Sequence, residues 1–254
     1  SKINSINARF LAIEKQLFEH RNMTETKIER INLKINNSGV IPIGEHQVLA
    51  KIFSGLKIYL DTRDMAVASH IALDGIWEEN ITRAWVNCIN EKSTILDIGA
   101  NFGYFGLLAG QFTDKKKSKV VMFEANPAIV PYVQKSLSIN WLNEQCKIEN
   151  LAVSNKSANV TLTVLENYMG SSSIETLEHL KQYAGHKMNI EHTNRVKVKA
   201  TSIDEYCKQN SIEAVDLIKM DIEGHEEKAY QGMKKIISKS PNATLIIEFT
   251  KDSY

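Results

Sequence analysis

The first 36 or so residues contain no Gly or Pro, and Ile3, Ile6, Phe10, Ile13 and Leu17 recur at alternating steps of three and four. That is the a/d spacing of a coiled-coil seam. The seam is interrupted at His20 and Thr24 and resumes at Ile28, Ile31 and Ile35, a jump that resembles a stutter. Two readings stay open for residues 1–36. One is a stalk that associates with copies of itself or carries the chain into a larger assembly, and the other is an amphipathic helix packed on its own domain. Asn36-Asn37-Ser38-Gly39, then Pro42 and Gly44, break the pattern.

Residues 37–92 form an accessory segment of mixed character, with a strand predicted at Lys57–Asp61 and a helix from Trp77 to Asn90. From residue 93 onward, short apolar runs alternate with helical periodicity, the mark of a doubly wound α/β sheet. The predicted order is strand Thr94–Ile98, helix Tyr104–Phe112, strand Lys119–Glu124, a helix from about Pro127 to Asn140, and strand Cys146–Val153. Extra strands are expected at Val160–Leu165 and Val196–Ala200. The fourth and fifth core strands are expected at Ala214–Ile222 and Ala243–Phe249.

A chain of 254 residues suits one large α/β domain, here 93–254, plus the accessory parts. With 43% hydrophobic residues it can bury a core, and a formal net charge of +1 makes no case for nucleic acid or an anionic membrane as the main partner. Cys88, Cys146 and Cys207 are far apart and show no CxxC or Cys/His spacing. A disulfide framework and structural zinc are therefore not expected, and a reducing, cytoplasmic setting is. No apolar run approaches the ~20 residues of a transmembrane helix. The chain opens on Ser-Lys rather than Met, as a trimmed or partial chain would.

Candidate chemistry is concentrated in three segments. In Ile95-Leu96-Asp97-Ile98-Gly99-Ala100-Asn101-Phe102-Gly103-Tyr104, an apolar strand ends in an acidic residue and turns through two glycines into a helix. Gly99 permits a turn that a Cβ would obstruct, and Gly103 would let backbone approach a ligand. The unpaired N–H groups at the helix start suit a carboxylate, and Asp97 suits an ammonium. S-adenosylmethionine carries both. A dinucleotide fingerprint would read GxGxxG, and a pyrophosphate would gain little from Asp97, so the sulfonium cofactor is favoured over NAD.

The second segment, Val120-Val121-Met122-Phe123-Glu124-Ala125-Asn126-Pro127, has Glu124 at a strand end about twenty positions after the glycine turn, where an acidic group accepts hydrogen bonds from ribose hydroxyls. In the third, Val215-Asp216-Leu217-Ile218-Lys219-Met220-Asp221-Ile222-Glu223-Gly224-His225-Glu226, the residues Lys219, Asp221 and Glu223 alternate and are expected on one strand face. Such charges are costly there unless they pair or serve a site.

These segments, with Tyr59-Leu60-Asp61, Asp64, Gly75-Ile76-Trp77-Glu78, Asn150-Leu151-Ala152-Val153, Gly170-Ser171-Ser172-Ser173, Thr201-Ser202-Ile203-Asp204-Glu205-Tyr206, Gly232 and Ile246-Ile247-Glu248-Phe249, resemble the FkbM family of S-adenosylmethionine-dependent methyltransferases. The resemblance runs from about Lys57 to Phe249. It implies a Rossmann-like class I methyltransferase sheet and methylation of hydroxyl oxygens on sugars, glycans or polyketide-like acceptors. A complete sheet of that class has seven strands, and no segment here supplies the last two, so either the chain is truncated or a partner or the segment before residue 93 covers that edge. The candidate cofactor site is Asp97, Gly99, Ala100, Asn101, Gly103 and Tyr104 at the methionine end, Glu124, Ala125 and Asn126 at the ribose, and Asn150 and Ala152 near adenine. Asp221, Glu223 and His225 are the candidate catalytic residues, one of them a general base for the acceptor hydroxyl. A metal that acidifies the hydroxyl is the less favoured alternative, because no His/Asp cluster has ligand spacing. Tyr168, Met169, Tyr183, His186 and His192 are candidate acceptor contacts. A non-catalytic assembly domain and an NAD-dependent oxidoreductase remain the competing readings.

Overall fold

The computed structural model describes residues 39–165, 167–174 and 193–248. The predicted helix over 1–36, the acceptor-contact candidates Tyr183, His186 and His192, and the end of the predicted fifth strand fall outside them.

Among the described residues, five parallel strands form the central sheet: β4 (Thr94–Ile98), β5 (Lys119–Phe123), β6 (Cys146–Glu149), β11 (Leu217–Met220) and β12 (Thr244–Ile247). Their spatial order is β12-β11-β4-β5-β6. The chain runs outward from β4 to β6, returns, and runs outward again on the other side, so strand order reverses between β4 and β11. Open α/β sheets bind ligands at that reversal, beyond the carboxyl ends of the strands. The strands are apolar on both faces because both are covered. Ile95, Val120, Met122 and Leu217 join one apolar cluster, and Leu96, Ile98, Val121, Phe123, Ile218 and Met220 join another.

The first cluster is shared with the accessory segment. Here β1 (Val40–Pro42), β2 (Gln47–Lys51) and β3 (Lys57–Asp61) form an antiparallel sheet, followed by α1 (Val67–Asp74) and α2 (Glu79–Cys88). On α2, Trp85 is fully buried and its indole N–H donates to the Phe105 carbonyl at 3.0 Å, which ties α2 to α3 (Tyr104–Phe112). β3 packs on α4 (Val130–Ile139), where the Tyr59 N–H donates to Ser136 Oγ at 2.9 Å and the Tyr132 hydroxyl donates to Asp61 at 2.6 Å.

The predicted third strand, Cys146–Val153, is two strands. β6 ends at Glu149, and β7 (Ala152–Val153) pairs in parallel with β10 (Thr193–Thr201) in a second sheet. The break comes at Asn150, whose side-chain amide donates to the Glu124 and Ala125 carbonyls at 2.9 and 3.1 Å. β8 (Ala158–Leu165) and β9 (Tyr168–Ser173) complete that sheet, whose order is β7-β10-β8-β9. The other side of the central sheet carries α5 (Ile203–Gln209), α6 (Glu226–Gln231) and α7 (Lys234–Lys239).

Candidate active site

A cleft opens at the carboxyl ends of β4, β5 and β11 and holds about 1090 Å³ of space, part of it open to solvent. Gly99 makes it possible. It lies at φ +80°, and a Cβ there would stand 1.8 Å from the Asp221 carbonyl oxygen. The turn after β4 is thus pressed against the end of β11, and the Asp221 N–H donates to the Ile98 carbonyl at 3.0 Å. The glycine corner and the third motif meet through backbone. Gly103 has a different role from the one expected. Its Cβ would meet Val133 at 2.9 Å, so its small size serves helix packing, and it does not line the cleft.

Of the other cofactor candidates, Ala100, Asn101, Tyr104, Glu124, Ala125 and Ala152 border the cleft. Asn101 is held at φ +52°, its N–H donating to Glu124 Oε2 at 2.8 Å, while Oε1 accepts from the Asn126 N–H at 2.7 Å. Glu124 is 7% exposed. Burial pushes its carboxyl up to about 7, against the pull of those N–H groups. Asn126 and Asn150 do not line the cleft: Asn126 ties β9 through the Met169 carbonyl at 3.2 Å, and Asn150 ties the loop after β5. Leu151, Ala152, Val153 and Leu162 give the same end an apolar wall.

Asp97 lies beneath the cleft and not in its lining. Its neighbour across the sheet is Lys219, and it faces α3. It is fully buried, and among the described residues neither carboxylate oxygen has a hydrogen-bond partner of ordinary geometry. Burial pushes its pKa up to about 6, offset in part by the Lys219 charge. A buried carboxylate without well-formed hydrogen bonds is costly, and this one stands under the corner expected to hold an ammonium.

At the far end, Lys219 is 5% exposed and its Nζ lies 2.9 Å from Asp221 Oδ2 and 4.7 Å from the centre of the Phe105 ring. Asp221 is 26% exposed and borders the cleft. β11 ends at Met220, so the expected alternation does not extend to Glu223. That residue sits in a left-handed turn at φ +54° and still reaches the cleft wall. His225 also borders the cleft, but its Nε2 shares a 3.0 Å hydrogen bond with Ser154 Oγ.

Two carboxylates complete this end without having been assigned a role from sequence. Glu248 follows β12 and hydrogen-bonds to Asp221. Burial, then the hydrogen bond to Asp221 and repulsion from its charge, push Glu248 up to about 8, while the Lys219 charge and that bond hold Asp221 below its ordinary value despite burial. Glu78, at φ +43° ahead of α2, turns toward the same charges. The signal for Glu248 was its place at the end of a parallel strand. For Glu78 no local signal exists, since its accessory loop reaches the cleft only through tertiary packing. Among the described residues, no group of three His, Cys, Asp or Glu could hold a metal ion, and no helix is long and apolar enough to cross a membrane.

A reversed parallel sheet with a glycine corner, an acidic second strand end and a cleft over the reversal defines a nucleoside-cofactor α/β domain of the class I methyltransferase kind. A family model, the methyltransferase FkbM domain, matches residues 97–254, and the chain belongs to that family. Membership implies S-adenosylmethionine as the methyl donor. The chain is 26% identical over 186 residues to methyltransferase sdnD of Sordaria araneosa, covering 65% of this chain and 70% of that protein. The solved methyltransferase FkbM of Methylobacillus flagellatus KT aligns at 18% identity with a TM-score of 0.39, covering 62% of this chain and 32% of that one. The chain thus spans about a third of that structure. A precorrin-6y C5,15-methyltransferase of Geobacter metallireducens GS-15 aligns at 9% identity with a TM-score of 0.40, covering 70% and 66% of the two chains.

Proposed function

We propose that this chain transfers the methyl group of S-adenosylmethionine to a hydroxyl oxygen of a sugar, glycan or polyketide-like acceptor. The observation that carries the reading is the group of carboxyls, Asp221 with Glu248 and Glu78 beside them, gathered around one buried lysine where the cleft leaves the glycine corner. That surface suits a cationic sulfonium and hydroxyl donors, and it is unfavourable for the pyrophosphate of NAD. The sulfonium supplies the electrophilic methyl group.

The residues present fit such a cofactor. Asn101 and Tyr104 border the methionine end, the Glu124 carboxyl is the acceptor for ribose hydroxyls, and Leu151 to Val153 with Leu162 form an apolar slot for a base. An acceptor hydroxyl is a weak nucleophile until its proton leaves, and a positioned base is worth typically ~10²–10⁴-fold. The Asp221–Glu248 pair is our candidate base. Lys219 keeps Asp221 ionised and fixed in direction, and the repulsion that raises Glu248 makes the pair a better proton acceptor once its shared proton has left.

Calorimetry with S-adenosylhomocysteine and with NAD tests the cofactor assignment. Heat of binding from the first and none from the second is expected, and the reverse pattern would overturn it. A mass screen of neutral glycosides and polyhydroxylated acceptors for the gain of one methyl group tests the acceptor. Asp221→Ala is expected to bind S-adenosylhomocysteine and to transfer nothing. Transfer at the wild-type rate by that variant would remove Asp221 from the mechanism.

A further inference from the structure

Among the described residues, strand β9 is an edge strand, paired on one side with β8 only. Its other side would leave backbone groups unpaired next to the cleft, and Asp64 in the accessory segment takes up one of them. Asp64 is fully buried; Oδ2 accepts from the Gly170 N–H at 3.0 Å and Oδ1 from the Ala68 N–H at 2.9 Å. The adjacent Met65 N–H donates to the Asn167 carbonyl at 2.9 Å. Held this way, Gly170 lies so close to Asn101 that a Cβ on it would stand 2.1 Å from the Asn101 side-chain nitrogen. Asn101 in turn donates its N–H to Glu124. A continuous line of contacts therefore runs from the accessory segment to the two polar groups that face the cofactor end of the cleft.

We propose that Asp64 is a positioning residue for the cofactor. By clamping β9 at Gly170 it presses Asn101 into its left-handed conformation and so fixes where Glu124 points. This rests on the cofactor assignment above. The two bonds it makes are to backbone N–H groups, one on the accessory helix and one on the edge strand, so the carboxylate joins two elements that no strand pairing connects. A contact to an ionised acceptor is roughly twice as strong as a neutral one, which suits a clamp made by one side chain.

The test is a double-mutant cycle read by calorimetry with S-adenosylhomocysteine. Asp64→Asn keeps the shape but presents an amide NH₂ to one of its two N–H partners, and affinity is expected to fall about tenfold. If Asp64 acts through Asn101, the same change made in Asn101→Ala costs less than about twofold. Gly170→Ala disturbs the contact from the opposite side. Its loss of affinity is expected to be relieved by Asn101→Ala, because the clashing group is gone, and this arm stands if Asp64→Asn does not fold. Tyr132→Phe, which removes a bond in the same accessory seam without touching β9, is expected to lower the melting temperature and leave affinity unchanged. Equal losses in both Asn101 backgrounds, or a matching loss in Tyr132→Phe, would overturn the proposal as a merely structural effect. Wild-type protein that fails to bind S-adenosylhomocysteine would instead overturn the cofactor assignment.

Discussion

Replacing Asp97 by Asn is expected to change the stability of the fold in a way that depends on pH. Asp97 is fully buried, has no hydrogen-bond partner of ordinary geometry among the described residues, and titrates at about 6 in the fold against 3.8 for an exposed carboxyl. That rise corresponds to ~3 kcal/mol, taking 1.36 kcal/mol for each tenfold change in the proton equilibrium. The sign follows from the direction of the shift. A carboxyl whose folded pKa is raised holds its proton more tightly in the fold, so stability is fully present below about pH 4 and is lost as pH rises through about 6. Asn cannot ionise and escapes that loss. Urea unfolding of both proteins between pH 4 and 8 isolates the effect, since any fixed cost of the amide cancels from the pH dependence. The variant is expected to gain on the wild type across that range, by ~3 kcal/mol in total, and to hold level above about pH 7. Glu124 works in the same direction, because repulsion from Asp97 is one cause of its own rise. A difference that stays flat from pH 4 to 8, or one that favours the wild type as pH rises, would show that the Asp97 charge is compensated and that its burial is not a strain on the fold.

Gly99→Ala is expected to cost several kcal/mol or to prevent folding, because the new Cβ would meet the Asp221 carbonyl and the backbone sits at φ +80°; thermal denaturation measures it. If Asp221 and Glu248 act as the base, the logarithm of kcat is expected to rise with pH and level off near 8, and Glu248→Gln is expected to abolish that inflection. An unchanged profile in Glu248→Gln would assign the inflection to another group.

The sequence signals succeeded where they were local. The run Thr94–Ile98 and the helix Tyr104–Phe112 have their expected ends because an apolar strand, a glycine turn and a helical repeat follow each other without interruption. The helix expected from Pro127 begins at Val130, since the Asn126 side chain bonds the Ala128 N–H and holds residues 127–129 in a turn. The Gly-Ser-Ser-Ser part of β9 lacks the β-branched and aromatic residues that mark a strand. It becomes a strand by folding back on β8 as a hairpin, and Asp64 and Asn126, distant in sequence, hold it in place. The site divides in the same way. Gly99, Asn101, Glu124 and Asp221 stand in contiguous motifs and could be picked out by spacing. That Asp97 lies under the cleft, that Asn150 is taken up by two carbonyls, and that Glu78 joins the acidic end are all consequences of packing, which no single segment encodes.

Strain in the backbone singles out the same cleft. Among the described residues, five other than glycine have positive φ, namely Glu78, Asn101, Trp141, Ser211 and Glu223, and three of them border the cleft. A bulky residue held there costs on the order of 1–2 kcal/mol, and such positions persist only where the surroundings over-determine them. Glycine would remove the strain at an entropic cost of ~0.5–1 kcal/mol. Glu78→Gly and Trp141→Gly are therefore both expected to leave stability unchanged or raise it by up to ~1 kcal/mol, since Trp141 is 80% exposed and loses little packing. Their effects on function should part. Glu78→Gly removes a carboxyl from the acidic end and is expected to weaken binding of S-adenosylmethionine more than of its uncharged-sulfur product, whereas Trp141→Gly is expected to alter neither. If Glu78→Gly instead destabilises the fold by more than about 1 kcal/mol and leaves both affinities intact, the strained carboxylate serves the accessory seam, and the acidic end is built from Asp221, Glu223 and Glu248 alone.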